Sequence, residues 1–108
     1  MLPKKNRVDK KNIDLIFKKG NFLSSTNFTF KFILTKNSLQ PRISFITPQN
    51  ISKLAVKRNL LRRKGYSALK KYITQFPPGT LGVFIFKKYQ DDILIIENEI
   101  KDILNKIY

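Results

Sequence analysis

Eight of the nineteen side chains from Lys53 to Lys71 are basic and none is acidic. Lys53, Lys57, Lys64 and Lys71 recur at spacings of 4, 7 and 7, which on a helix lines them along one face. Arg58 and Arg62 form an i, i+4 pair on another face, with Arg63 beside them. Guanidinium groups grip phosphate oxygens through paired N–H donors, whereas ammonium groups act as point charges. Asn59, between Arg58 and Leu60, carries an amide able to bond a phosphate or a sugar hydroxyl. The chemistry on offer is polyanion binding; the plainer alternative is a solvated helix face.

The rest of the composition narrows the field. The chain has no Cys and no His, which excludes thiol nucleophiles, disulfides, imidazole bases and His-ligated metals. Its 22 Lys and Arg against 7 Asp and Glu give a net charge of +15. Only Asp9 and Asp14 precede residue 91, so residues 15–90 hold no acid at all. Phosphodiester cleavage by a protein-held metal calls for clustered carboxylates. The later acids, Asp91, Asp92, Glu97, Glu99 and Asp102, are explained by a helix dipole and by solubility. A field this basic favours nucleic acid over an anionic membrane surface, with Lys-rich compositional drift as the bland reading. No apolar run approaches the roughly 18 residues of a membrane span. The opening Met-Leu-Pro-Lys-Lys-Asn-Arg lacks the apolar stretch of a secretory signal. A cytoplasmic protein is expected.

These side chains need a scaffold. The 108 residues suit one domain over 1–108, with residues 1–8 a flexible basic tail in which Lys4, Lys5 and Arg7 add general RNA attraction. Ile13, Ile16 and Phe17 at i, i+3, i+4 predict a helix over 10–19 that stops at Gly20. Residues 27–35 alternate, with Phe28, Phe30, Phe32 and Leu34 on the buried side and Lys31 on the other. Residues 42–47 read as a second strand, pairing with the first as an antiparallel hairpin. A helix is predicted from an N-cap at Ser52 to about Gln75, closed by Phe76-Pro77-Pro78-Gly79. Gly65 is either a weak point in it or a place of close packing. Leu81–Phe86 is apolar throughout, as a central strand buried on both faces would be, and the strand at 42–47 joins it through a parallel crossover. Asp91-Asp92 opens a last helix. The order α-β-β-α-β-α gives an α+β fold, a small sheet with helices packed on it.

Residues 53–63, Lys-Leu-Ala-Val-Lys-Arg-Asn-Leu-Leu-Arg-Arg, resemble the Ala-Val-x-Arg-Asn-Arg-x-Lys-Arg signature of the bacterial ribonuclease P protein component. The likeness extends along the chain. Asn6-Arg7-Val8 is similar to that family's Asn-Arg-Leu, and Ile13–Gly20 to its Phe-x-x-Val-Phe-Lys-x-Gly helix. Pro41-Arg42-Ile43-Ser44 resembles its Arg-Ile-Gly strand. The chain departs from the pattern at Leu60, at Pro48-Gln49-Asn50 (Ser-Lys-Lys in the family), at Ser44, at Tyr66 in place of a frequent arginine, at Ile13 in place of an aromatic, and at Lys31, near an expected tyrosine. These changes are expected to remove contacts rather than add chemistry.

The resemblance implies a sandwich like that of ribosomal protein S5 domain 2, with a βαβ crossover that is left-handed in the family, against the usual hand. It also implies the protein subunit of a ribonucleoprotein that removes the 5′ leader of precursor tRNA. Catalysis would belong to the ribonuclease P RNA, with Mg²⁺ held mainly by RNA and substrate. Lys53, Lys57, Arg58, Asn59, Arg62 and Arg63 match the RNA-subunit contact motif. Phe17, Lys31 and Arg42 fall in the leader cleft between the first helix and the sheet. For Phe17 the competing role is core packing, for Lys31 surface solubility, and for Arg42 protection of a strand edge. Neither DNA nor a membrane is an expected partner. The rival readings are a structural or ribosome-associated RNA-binding protein without a part in processing, a DNA-binding module using the basic helix, and a protein nuclease.

Overall fold

The computed structural model describes Val8 and residues 10–35 and 40–107. In chain order they form α1 (Lys10–Lys19), β1 (Asn21–Ser24), β2 (Phe28–Leu34), β3 (Arg42–Ile46), α2 (Ala55–Leu69), a 3₁₀ turn (Ile73–Gln75), β4 (Thr80–Phe86) and α3 (Ile93–Ile107). The α+β class and the order of the six expected elements hold. One element was not foreseen. β1 is four residues long and largely exposed, too short to show an alternation in sequence.

The strands form one mixed sheet in the order β1-β2-β4-β3. β2 and β3 are therefore not a hairpin. β4 lies between them, antiparallel to β2 over seven residue pairs and parallel to β3 over five. Its composition explains the insertion: Val83, Phe84 and Phe86 are buried on alternate sides of the sheet, so the strand is covered on both faces only at the centre. The parallel crossover from β3 through α2 to β4 is present as expected.

One face carries the main core. Phe28, Phe30 and Phe32 of β2, Ile43 and Phe45 of β3, and Phe84 and Phe86 of β4 pack there against Leu61, Ala68 and Leu69 of α2 and Ile96, Ile100 and Ile103 of α3. The rings meet edge-on or offset, as Phe28 does on Phe45 at 6.0 Å. Leu34 shares the face of these rings but lies at the strand end, half exposed. The opposite face is smaller. There Ile16 and Val83 pack with Val8, flanked by Ile13, Ile33, Ile46, Leu81 and Ile85.

Three further expectations change. Val8 is buried, and its N–H donates to Ser44 Oγ at 2.8 Å, so the chain is already anchored at the last residue of the expected tail; residues 1–7, with Lys4, Lys5 and Arg7, lie outside the described residues. Ser52 is not the N-cap of α2. Its Oγ accepts the Leu54 N–H two residues on, a local Ser turn, and the helix starts at Ala55 with no side-chain cap. Finally, α2 ends at Leu69 rather than Gln75, tightening into the 3₁₀ turn. Phe76 beyond it is extended (φ −70°, ψ 148°), as a residue before proline must be.

Candidate RNA-binding surfaces

Lys53, Lys57, Lys64 and Lys71 do not line one face of a helix, because Lys53 precedes α2 and Lys71 follows it; the basic residues of this stretch divide by where they reach. Lys64 Nζ donates to the Asp91 carbonyl at 2.8 Å, and Lys71 Nζ lies 2.9 Å from Glu97 Oε1. These two lysines cross to the α3 side. Lys71 is held above its ordinary pKa by the hydrogen bond to Glu97 and then by that carboxylate's charge. Glu97 is itself buried, so it is not the surface acid the sequence suggested. Neither is Glu99, which is buried and bonded to Ser25 and Asn27.

Lys53, Lys57, Asn59 and Arg63 are exposed, and Arg58 and Arg62 half-buried. Lys57 to Arg63 lie on the first turns of α2, with Lys53 in the loop just before it. Arg58 turns back, Nη1 donating to the carbonyls of Ser52 (2.9 Å) and Lys53 (3.0 Å). It thus orders the loop that presents Lys53. Arg62 Nη2 donates to Asn59 Oδ1, fixing both side chains on one surface. The first turn of α2 contains no acid and no side-chain cap, so the positive end of the helix dipole adds to these charges. Five of the six residues named from sequence thus lie within the first nine residues of α2, with Lys53 in the loop before it.

The second surface is the α1 face of the sheet. The pairing register puts Phe22 of β1, Lys31 of β2, Val83 of β4 and Ser44 of β3 in one row across it. Ile16 and Val8 pack over Val83. Phe17, one residue past Ile16, is 43% exposed and belongs to neither core cluster, which settles its competing role as a core residue. Lys31 Nζ stands 4.9 Å from the Phe17 ring centroid, a cation–π contact.

Arg42 does not join this pair. It is on the same face but two strands from Lys31 and in the next row, opposite Leu81. There it lines a cavity of about 310 Å³ with Asn12, Leu15, Thr35, Gln40, Gly79 and Leu81. Helix α1 lies between the two places, its Ile13 and Ile16 packed on the middle of the sheet.

Two departures from the family pattern make hydrogen bonds within the chain. Ser44 Oγ accepts the Val8 N–H, and the Tyr66 hydroxyl accepts the Phe45 N–H at 3.1 Å, from beside the edge strand β3. Gly65 is a site of close packing: a Cβ there would stand 2.7 Å from the Phe45 ring.

The sequence model of the ribonuclease P family matches residues 2–108. The chain belongs to the ribonuclease P family. A ribonuclease P protein component of Pseudanabaena sp. (strain PCC 6903) is 28% identical over 80 residues, 73% of this chain and 69% of the relative. Among solved structures, the ribonuclease P protein of Thermotoga maritima superposes with a TM-score of 0.82 at 21% identity, covering 94% of this chain and 97% of that one. That of Staphylococcus aureus gives 0.78 at 18% identity and 94% of each. The fold is thus that of ribonuclease P proteins, and family membership makes this chain a protein subunit in tRNA processing, partnered with the ribonuclease P RNA. Among the described residues no helix is long and apolar enough to cross a membrane.

The sequence reading missed Phe22, which stands 68% exposed beside Lys31. Four residues, Asn21–Ser24, are too few to have signalled it in the sequence.

Proposed function

We propose that this chain binds the ribonuclease P RNA through the basic start of α2 and the 5′ leader of precursor tRNA along the α1 face of the sheet. The observation that carries the first half is the run of Lys53, Lys57, Arg58, Asn59, Arg62 and Arg63 through the loop before α2 and the first nine residues of α2, without an acid on that helix. The second half rests on Phe17 and Lys31. An exposed ring offers an unpaired base a stacking surface, and the ammonium beside it offers the phosphate a counter-charge. Arg42 is a separate basic group at the far side of α1.

In this reading the RNA subunit does the chemistry and Mg²⁺ is held by RNA and substrate, in the cytoplasm. The described residues do not fit a metal site of their own: no three His, Cys, Asp or Glu side chains come together among them. The chain's residues neutralise phosphates and hold the leader, lowering the repulsion that Mg²⁺ must otherwise overcome.

The test is the affinity for the cognate ribonuclease P RNA measured against salt. Each phosphate that a variant leaves un-neutralised reduces the steepness of log K against log salt by roughly 0.7–0.9. Lys57→Ala with Arg63→Ala is therefore expected to flatten the plot by about 1.5. An unchanged slope would remove α2 from the RNA interface.

A further inference from the structure

We propose that Phe22 is a second stacking platform for the leader, holding the unpaired nucleotide next to the one on Phe17. The inference rests on the reading that the α1 face receives the leader, and adds to it a residue on a different element.

No large apolar side chain among the described residues is more exposed than Phe22, at 68%. The ring belongs to neither core cluster. What ties β1 to the fold is Leu23, which faces the main core, and the backbone ladder to β2; the phenyl ring contributes little to either. Its company is what distinguishes it from a stray surface residue. Phe22 is the direct cross-strand partner of Lys31, which puts the two side chains roughly 5 Å apart at Cβ. Lys31 in turn reaches the Phe17 ring. Lys31 therefore links two exposed rings, its ammonium over Phe17 of α1 and its strand position beside Phe22 of β1, the two separated in sequence only by Lys18, Lys19, Gly20 and Asn21. Lys18 and Lys19 are exposed, and the chain from residue 15 to 90 has no acid.

Exposed rings beside Lys18, Lys19 and Lys31, which outnumber the one acid of α1, Asp14, match one ligand class, a single nucleic acid strand: bases stack on the rings while the cations track the phosphates. An apolar protein partner would leave Lys18, Lys19 and Lys31 desolvated and unpaired, and a duplex would hide the faces of its bases. Gly20 ends α1 before it can cover β1: a Cβ there would run into the Ile16 carbonyl. Residue 22 is thereby left open at the sheet margin.

The experiment uses the holoenzyme assembled with cognate ribonuclease P RNA. Precursor tRNA with a leader and mature tRNA are titrated against wild type, Phe22→Ala, Phe22→Trp and Phe17→Ala. The chain has no Trp, so Phe22→Trp gives a single tryptophan, excited selectively over the four tyrosines. Phe22→Ala is expected to weaken binding of leader-bearing precursor by roughly 5- to 150-fold and to leave that of mature tRNA unchanged. Phe22→Trp is expected to retain affinity, with its emission quenched by the leader-bearing precursor alone. If Phe22→Ala binds precursor as wild type does while Phe17→Ala does not, the Phe22 proposal falls and the leader surface stands. If both bind as wild type, both fall. Equal weakening toward precursor and mature tRNA also overturns the proposal.

Discussion

The Glu99 carboxylate on α3 holds Asn27 at two points: Oε1 accepts its backbone N–H and Oε2 its side-chain amide, each at 2.6 Å. Oε1 also accepts Ser25 Oγ at 2.6 Å. The turn joining β1 to β2 is thus fastened to the helix layer by one buried acid. Replacing it by alanine strands the Asn27 N–H in a buried place, so Glu99→Ala is expected to cost roughly 3 kcal/mol. Urea unfolding will show this as a lower midpoint at an unchanged slope; a shift below about 1 kcal/mol would mean that water replaces the carboxylate without penalty.

Gly65→Ala tests packing against propensity. Alanine favours a helix interior by about 1 kcal/mol over glycine. The added methyl, however, meets the Phe45 ring, which is packed on Phe84, Phe86 and Tyr66 and has no free direction in which to yield. Overpacking of this kind costs about 1–3 kcal/mol, so net destabilisation of about 1 kcal/mol is expected. Ser67→Ala, at an exposed position of the same helix, is the control and leaves stability undiminished.

The Lys71–Glu97 ion pair makes a prediction in alkali. The Lys71 pKa is raised in the folded chain by Glu97. A raised lysine stabilises fully below its ordinary value of 10.5, and the contribution disappears as pH climbs through the folded value. The stability difference between wild type and Lys71→Gln should therefore be constant at neutral pH and shrink above 10.5. Because the ammonium is exposed, the difference will be small and reduced by salt. A difference that persists unaltered into strong alkali would show that the charge is irrelevant.

Phe17 separates binding from folding. Its ring is half exposed and outside both cores, so Phe17→Ala should leave the unfolding free energy within about 0.5 kcal/mol of wild type. Removing a base-stacking ring should still weaken binding of the leader-bearing precursor by about 1–3 kcal/mol. A melting curve alongside precursor titration of the holoenzyme checks both; a large drop in stability would return Phe17 to a packing role.

Much of this fold could be read from residue order because its long elements follow simple periods. The Phe28–Phe30–Phe32 alternation and the apolar run at 81–86 each had one physical solution, a half-buried and a fully buried strand. The pairing of strands was less legible. A short connection from Leu34 to Arg42 favours a hairpin locally, and only the double-sided burial of β4 overrides it. β1 escaped because its sole inward side chain is Leu23. At the α2 surface, identity and spacing located every basic residue, but sequence treats charges as independent. It could not show that Lys71 meets a buried Glu97 or that Arg58 folds back on the Ser52 and Lys53 carbonyls. On the α1 face, Phe17 and Lys31 converge because Gly20 returns the chain beside its own helix. Arg42 shared a face with them but not a place on it.

The most direct test of the account is reconstituted cleavage. Cognate ribonuclease P RNA and precursor tRNA with a labelled leader are incubated at low Mg²⁺ with no protein, with wild type, and with Arg62→Ala plus Arg63→Ala; Arg58 is spared because it orders its own loop. Leader release that depends on wild-type protein and is abolished in the folded double variant is the predicted result. Release that is indifferent to the protein, or undiminished in the double variant, would contradict the assignment of the α2 surface to the RNA subunit.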